Sequence, residues 1–141
     1  MMEEDLYEQI ERLAEEGNAH LDGGRHAQAL AAWRAALDLL PEDERLDGQA
    51  MWLHASMGEA YFLMENWPAA KDEFYDALNC SGGLDNPFVH YMLGKTLLRL
   101  SDSKGLDQLV QARMLDGDRI FEADKEEGAA LLQLMRENGL A

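Results

Sequence analysis

Four histidines (His20, His26, His54 and His90), one cysteine (Cys80) and 28 acidic residues are the side chains of this chain that could do chemistry. Zinc binding on a helix asks for two histidines at i and i+4, so that both reach one ion from one face. No two of the four stand at that spacing with a third ligand beside them, and H-E-x-x-H is absent. The histidines read as packing or surface residues, and no metal or other cofactor is expected. Cys80 falls near the C-terminal end of a candidate helix, where the backbone dipole opposes a thiolate. Asp116, Asp118 and Glu122 hint at a calcium loop, but Phe121 stands at its sixth position, where the sharp turn needs glycine. Ser101 to Gly105 lacks the glycine frame that turns backbone N–H groups onto a phosphate. No nucleophile, base and oxyanion donors come together. The chain is therefore expected not to be an enzyme, with a carboxylate site lacking any sequence signature as the rival reading.

The elements that would position these residues are helical. The 141 residues suffice for one domain with a core, and 47% of them are apolar. Val89, Val110, Ile10 and Ile120 are the whole supply of β-branched apolar residues, while Ala, Leu, Glu, Gln and Met abound. That balance disfavours a sheet and favours helices. Glycine and proline then punctuate the chain. Helices are expected over about 4–22, ending at Gly23 and Gly24, over 26–40, stopped by Pro41, and over 46–64. A fourth carries Pro68 in its first turn and ends before Gly82 and Gly83. A fifth opens at Asn86 and Pro87, an N-cap followed by proline at the first helical position, and runs to about Leu100. A sixth covers about 103–115. A seventh is expected in Asp118 to Asn138, broken near Asp124, with an apolar stripe at Leu131, Leu132 and Met135.

Aligning Gly17, Gly58 and Gly94 exposes a repeat. Three residues on come His20, Tyr61 and Leu97; twelve on, Ala29, Ala70 and Leu106; sixteen on, Trp33, Phe74 and Val110. Ala36 and Ala77 follow nineteen after the first two glycines, and Pro41 ends the first unit. The order of small residue, aromatic, alanine, aromatic, alanine and proline resembles the tetratricopeptide repeat, a helical hairpin of 34 residues. The glycine spacings of 41 and 36 depart from that length; the first excess fits an extension around Pro41 to Gly48. Other departures are His20 and His26 at aromatic positions, Gly82 in place of a proline, and Leu106, Val110 and Arg113 in the second helix of repeat three. The resemblance implies an all-α domain over 1–141, with repeats at about 10–43, 51–84 and 87–117 and a C-terminal cap at about 118–141. Small residues would let paired helices approach, Gly17 on Ala29 and Gly58 on Ala70, while large ones fill the spaces between pairs.

In that family the second, fifth, ninth and twelfth residues of each repeat face a concave groove. Carried onto this chain they are Glu11, Ala14, Asn18 and Leu21; then Trp52, Ala55, Glu59 and Phe62; then Phe88, Tyr91, Lys95 and Leu98. The resemblance thus implies partner binding through Asn18, Leu21, Trp52, Ala55, Glu59, Phe62, Phe88, Tyr91 and Lys95, with the aromatics converging as an anchor site rimmed by acids. The competing reading makes these aromatics core, covered by the extension or the tail. Some eukaryotic relatives clamp a peptide carboxylate with basic groove residues, but Ala14, Phe88 and Met92 stand at those positions here.

The net charge of −16, from 28 acids against 12 bases, repels nucleic acid and anionic membranes and attracts basic partners. A lone cysteine fits a reducing cytoplasm, the acidic N-terminus is the opposite of a signal peptide, and no apolar run approaches a bilayer span. The expected role is a protein–protein interaction module, an adaptor or scaffold. The segment Ala112 to Gly117, followed by Ile120 and Phe121, resembles small bacterial repeat proteins that accompany toxin genes, which implies an immunity protein or chaperone neutralising a basic secreted protein. Self-association through the aromatic groove is the third reading.

Overall fold

The computed structural model describes residues 2–141, with side chains from Asp5 onward. Among the described residues the chain is all-α, with eight α-helices, one short 3-10 turn and no strand. It divides into two compact units, one running to Gly83 and the other spanning Leu84–Ala141. The first holds α1 (Met2–Asp22), α2 (His26–Leu39), a 3-10 turn (Glu42–Glu44), α3 (Gly48–Leu63) and α4 (Trp67–Leu78). The second holds α5 (Pro87–Arg99), α6 (Lys104–Asp116), α7 (Arg119–Ala123) and α8 (Gly128–Glu137). The sequence expectations for the helices agree with these bounds to within a few residues, including the break at Asp124.

Three hairpins, α1–α2, α3–α4 and α5–α6, share one turn. In each, the residue seven after the aligned glycine has positive φ: Gly24 at 76°, Glu65 at 60° and Ser101 at 59°. The N–H of that residue bonds to Leu21, Phe62 or Leu98, three residues back. The next N–H, of Arg25, Asn66 or Asp102, bonds to His20, Tyr61 or Leu97, five back. This is the Schellman arrangement, which satisfies the last carbonyls of a helix and reverses the chain. Only Gly24 takes the left-handed conformation without cost; Glu65 and Ser101 hold it against their own Cβ.

Each glycine lies where a ring or leucine leaves no room for a side chain. A Cβ on Gly17 would sit 2.3 Å from Trp33 Nε1, and one on Gly58 would sit 2.7 Å from the Phe74 ring. In the first two hairpins the atoms nearest that position belong to the aromatic residue. In the third hairpin small residues do meet, since a Cβ on Gly105 would lie 2.6 Å from the Gly94 carbonyl and one on Gly94 would lie 2.8 Å from Leu109. The second helix there is one residue out of the expected register. Gly105, Leu109 and Ala112, all buried, take the places of Ala70, Phe74 and Ala77, instead of Leu106, Val110 and Arg113. The cause is a tighter entry: Gly105 N–H bonds to Asp102, three residues back, whereas Ala29 and Ala70 bond to Arg25 and Asn66, four back. A 3-10 step closes the turn with one residue fewer.

The extension between α2 and α3 is tied down within the first unit. The Tyr7 hydroxyl donates to the Glu44 carboxylate at 2.6 and 2.7 Å, and Ser81 N–H donates to the Leu46 carbonyl. Asn66 and Asn86 cap α4 and α5 by accepting from the first-turn N–H groups, each with proline at the helix start.

Ala70 is fully buried in the α3–α4 hairpin. Ala70→Leu is expected to cost about 1–3 kcal/mol through overpacking. An unchanged melting temperature would contradict this packing.

Candidate functional site

On α3, Trp52, Ala55, Glu59 and Phe62 follow at spacings of three and four and so share one helix face. Trp52 is 55% exposed, a large area of indole left in water by a helix whose other aromatic residues are better covered. Ala55 is buried in the same stripe, and Glu59 and Phe62 are half-buried. Phe62 meets Trp67, at the start of α4, edge to face with ring centroids 4.9 Å apart. The exposed Leu63 and Met64 follow it. Burial, and then the charge of Asp22 at the end of α1, push the Glu59 carboxyl above its ordinary value. Two acids from two helices therefore share one surface region, with Asn18 exposed and Leu21 half-buried on α1.

The remaining expected site residues lie on α5, where Tyr91 and Lys95 are covered rather than open. Every residue from Val89 to Leu97 is buried, and a helix apolar or buried all round offers no open stripe. Tyr91 and Lys95, at 3% and 8% exposure, are held by the chain's own C-terminal segment. The Phe121 ring stands edge-on to Tyr91 with centroids 5.0 Å apart. The Tyr91 hydroxyl and the Lys95 ammonium donate to Asp124 Oδ2 at 2.6 and 2.9 Å, and Glu127 lies 3.4 Å from Lys95 Nζ. Phe88 is half-buried. The tail covering foreseen as the alternative thus describes Tyr91 and Lys95, while the extension leaves Trp52 open.

The cysteine and the histidines fall into distinct surroundings. Burial, then the charges of Asp76 and Asp47, raise the Cys80 thiol above its ordinary value, which opposes a nucleophilic thiolate. His90 donates from Nε2 to the Leu84 carbonyl at 2.9 Å and meets the Gln108 carboxamide through Nδ1 at 2.7 Å. His54, on α3, faces Glu73 and Asp76, on α4, with Nδ1 at 3.4 Å from Glu73 Oε2 and 4.0 Å from Asp76 Oδ2. Sequence reasoning passed over this group because His54 stands 19 and 22 residues from Glu73 and Asp76, on another helix. The available signal was the repeat register, in which His54 and His90 both stand four residues before the aligned glycine.

No family model matches the chain, and no curated protein matches it. Among the described residues no helix is long and apolar enough to cross a membrane.

Proposed function

We propose that this chain is a protein-binding module of tandem helical hairpins, resembling the tetratricopeptide type, that takes a basic partner carrying an apolar anchor. The site is the α1–α3 surface of the first unit: Asn18, Leu21, Trp52, Glu59 and Phe62 above the buried Ala55. The observation that carries this reading is Trp52, a half-exposed indole on the helix face that also carries the half-buried Glu59, on a chain of net charge −16. An exposed aromatic buries much area and loses little conformational freedom on binding, and such residues dominate interface energetics. The acids supply steering: complementary charge raises the association rate more than the affinity.

An adaptor or scaffold role is the broader form of the proposal. A dedicated neutraliser or chaperone of one basic protein is the narrower form, favoured by the size of the negative charge. The cytoplasm is its proposed compartment.

The test is capture of partners from the native host, followed by binding kinetics at two ionic strengths. Trp52→Ala is expected to speed dissociation at any salt, weakening binding by about 2 kcal/mol or more, as for an anchor residue. Glu59→Gln is expected to slow association chiefly at low salt, because the screening length is about 10 Å at 0.1 M. Unaltered kinetics in both folded variants would move the partner to another face.

A further inference from the structure

We propose that His54, Glu73 and Asp76 hold a divalent cation of the borderline class, zinc foremost, which clips α3 to α4. The proposal stands on geometry within the first unit and is independent of the partner-binding reading.

The donor set is one imidazole nitrogen and two carboxylate oxygens, within 4.8 Å of one another. Imidazole with carboxylate suits zinc and its neighbours, whereas calcium and magnesium favour oxygen alone. The His54–Glu73 separation matches an ion between them, while Asp76 Oδ2, 4.0 Å from His54 Nδ1, would have to close in from its exposed position. Two ligands at the usual distance of about 2.1 Å from a tetrahedral zinc stand roughly 3.4 Å apart, and His54 Nδ1 lies 3.4 Å from Glu73 Oε2. A direct hydrogen bond would close to about 2.7–3.2 Å.

The third hairpin supplies an internal control. At the equivalent positions His90 and Gln108 close to 2.7 Å, so this helix pairing permits a direct contact. In the first hairpin the same positions hold Leu13, Ala32 and Ala35, with no donor among them. Only in the second do three ligating groups stand together.

Glu73 is the most covered of the three donors. Its residue exposure is 8%, and among the described residues its only hydrogen-bonding partner is His54, at the limit of range. No buried side-chain oxygen or nitrogen among the described residues lacks a partner, so a cation at the shared position would add a ligand contact to a largely covered carboxylate whose second oxygen reaches solvent. The Asp76 side chain is 56% exposed, which leaves a path from solvent and room for water as a further ligand.

The experiment titrates Zn2+ alone into the full chain after chelator dialysis, by calorimetry and by nitrogen-edited NMR of the histidine rings. The expected result is one saturable site, with zinc moving the His54 ring signals and leaving those of His90 in place. Asp76→Asn, at an exposed position, and His54→Gln should each weaken zinc binding at least tenfold. Unmoved His54 signals in the wild-type chain, or equal binding by folded variants, would overturn the proposal and leave an ion pair between the histidine and Glu73.

Discussion

Trp33→Ala is expected to lower the unfolding free energy by about 3–5 kcal/mol, the range for truncating a large buried aromatic. Trp33 is 1% exposed, and its indole lies where Gly17 would otherwise carry a side chain. Removing the ring leaves a cavity against α1 that a glycine cannot refill, and the surrounding helix backbone relaxes only in part. The indole Nε1–H also donates to the Ala14 carbonyl at 3.1 Å. That carbonyl belongs to a helix interior, so the lost bond adds only about 1 kcal/mol. Trp33→Phe separates the two effects by keeping much of the ring and losing the bond. Arg34→Ala, at the exposed neighbouring position, should stay within about 0.5 kcal/mol of wild type. Urea unfolding of the three variants is the measurement; a small effect of Trp33→Ala would contradict the close approach of ring and glycine. Gly17→Ala probes the same contact from α1, and its cost should shrink in a Trp33→Leu background, because neighbouring substitutions couple.

That contact also shows where the sequence was legible. Helical periodicity, the caps at Asn86 and Pro87 and the breaks at glycine and proline are local signals, and they located the helices and the bend at Asp124. The repeat of Gly17 with Trp33 and of Gly58 with Phe74 was visible as spacing, yet which small or large residue meets the glycine depends on how deeply the ring seats. The third repeat looked loose because its alignment carried one residue too many. The left-handed turns at Glu65 and Ser101 have no glycine to announce them, and the 3-10 step after Ser101 is invisible to composition.

The exposure of the candidate site residues was legible only in part. The stripe of Trp52, Glu59 and Phe62 comes from the groove positions that the repeat resemblance implies, and helical spacing puts them on one face. The same resemblance implied Tyr91 and Lys95 on an open groove, with covering by the tail as the competing reading, and in the structure Phe121 and Asp124 fold back onto them. The period of a helix identifies a face but not its cover. His54, Glu73 and Asp76 were missed for a related reason: their proximity comes from the register of α3 against α4, and no single-helix pattern contains it.

Asp124→Ala is expected to cost about 3–5 kcal/mol at neutral pH, as for removing one partner of a buried ion pair. The Asp124 carboxylate serves the second unit on both oxygens. Oδ2 accepts from Tyr91 and Lys95, while Oδ1 accepts from the N–H groups of Glu126 and Glu127 at the approach to α8. Its loss leaves the buried Lys95 ammonium with Glu127 at 3.4 Å and deprives Tyr91 of this acceptor. The effect should depend on pH. Burial alone would raise the Asp124 carboxyl, but hydrogen bonds from Tyr91, Lys95 and the Glu127 backbone, with the Lys95 charge, hold it below its ordinary value. A lowered folded pKa means that the contribution is complete above the unfolded value, about 3.9, and is lost as pH falls through the folded one. Tyr91 behaves in the opposite sense. Burial, then the bond and charge of Asp124, raise its hydroxyl, so that contribution holds below the ordinary tyrosine value, about 10, and is lost as pH rises beyond it. Hydrogen exchange along residues 119–137 at neutral pH should show α7 and α8 opening in Asp124→Ala. The stability difference from wild type, read by urea unfolding, should shrink on acidification below about pH 4 as the carboxylate takes up its proton. A difference of equal size at pH 7 and well below the folded pKa would assign the role of Asp124 to packing rather than to charge.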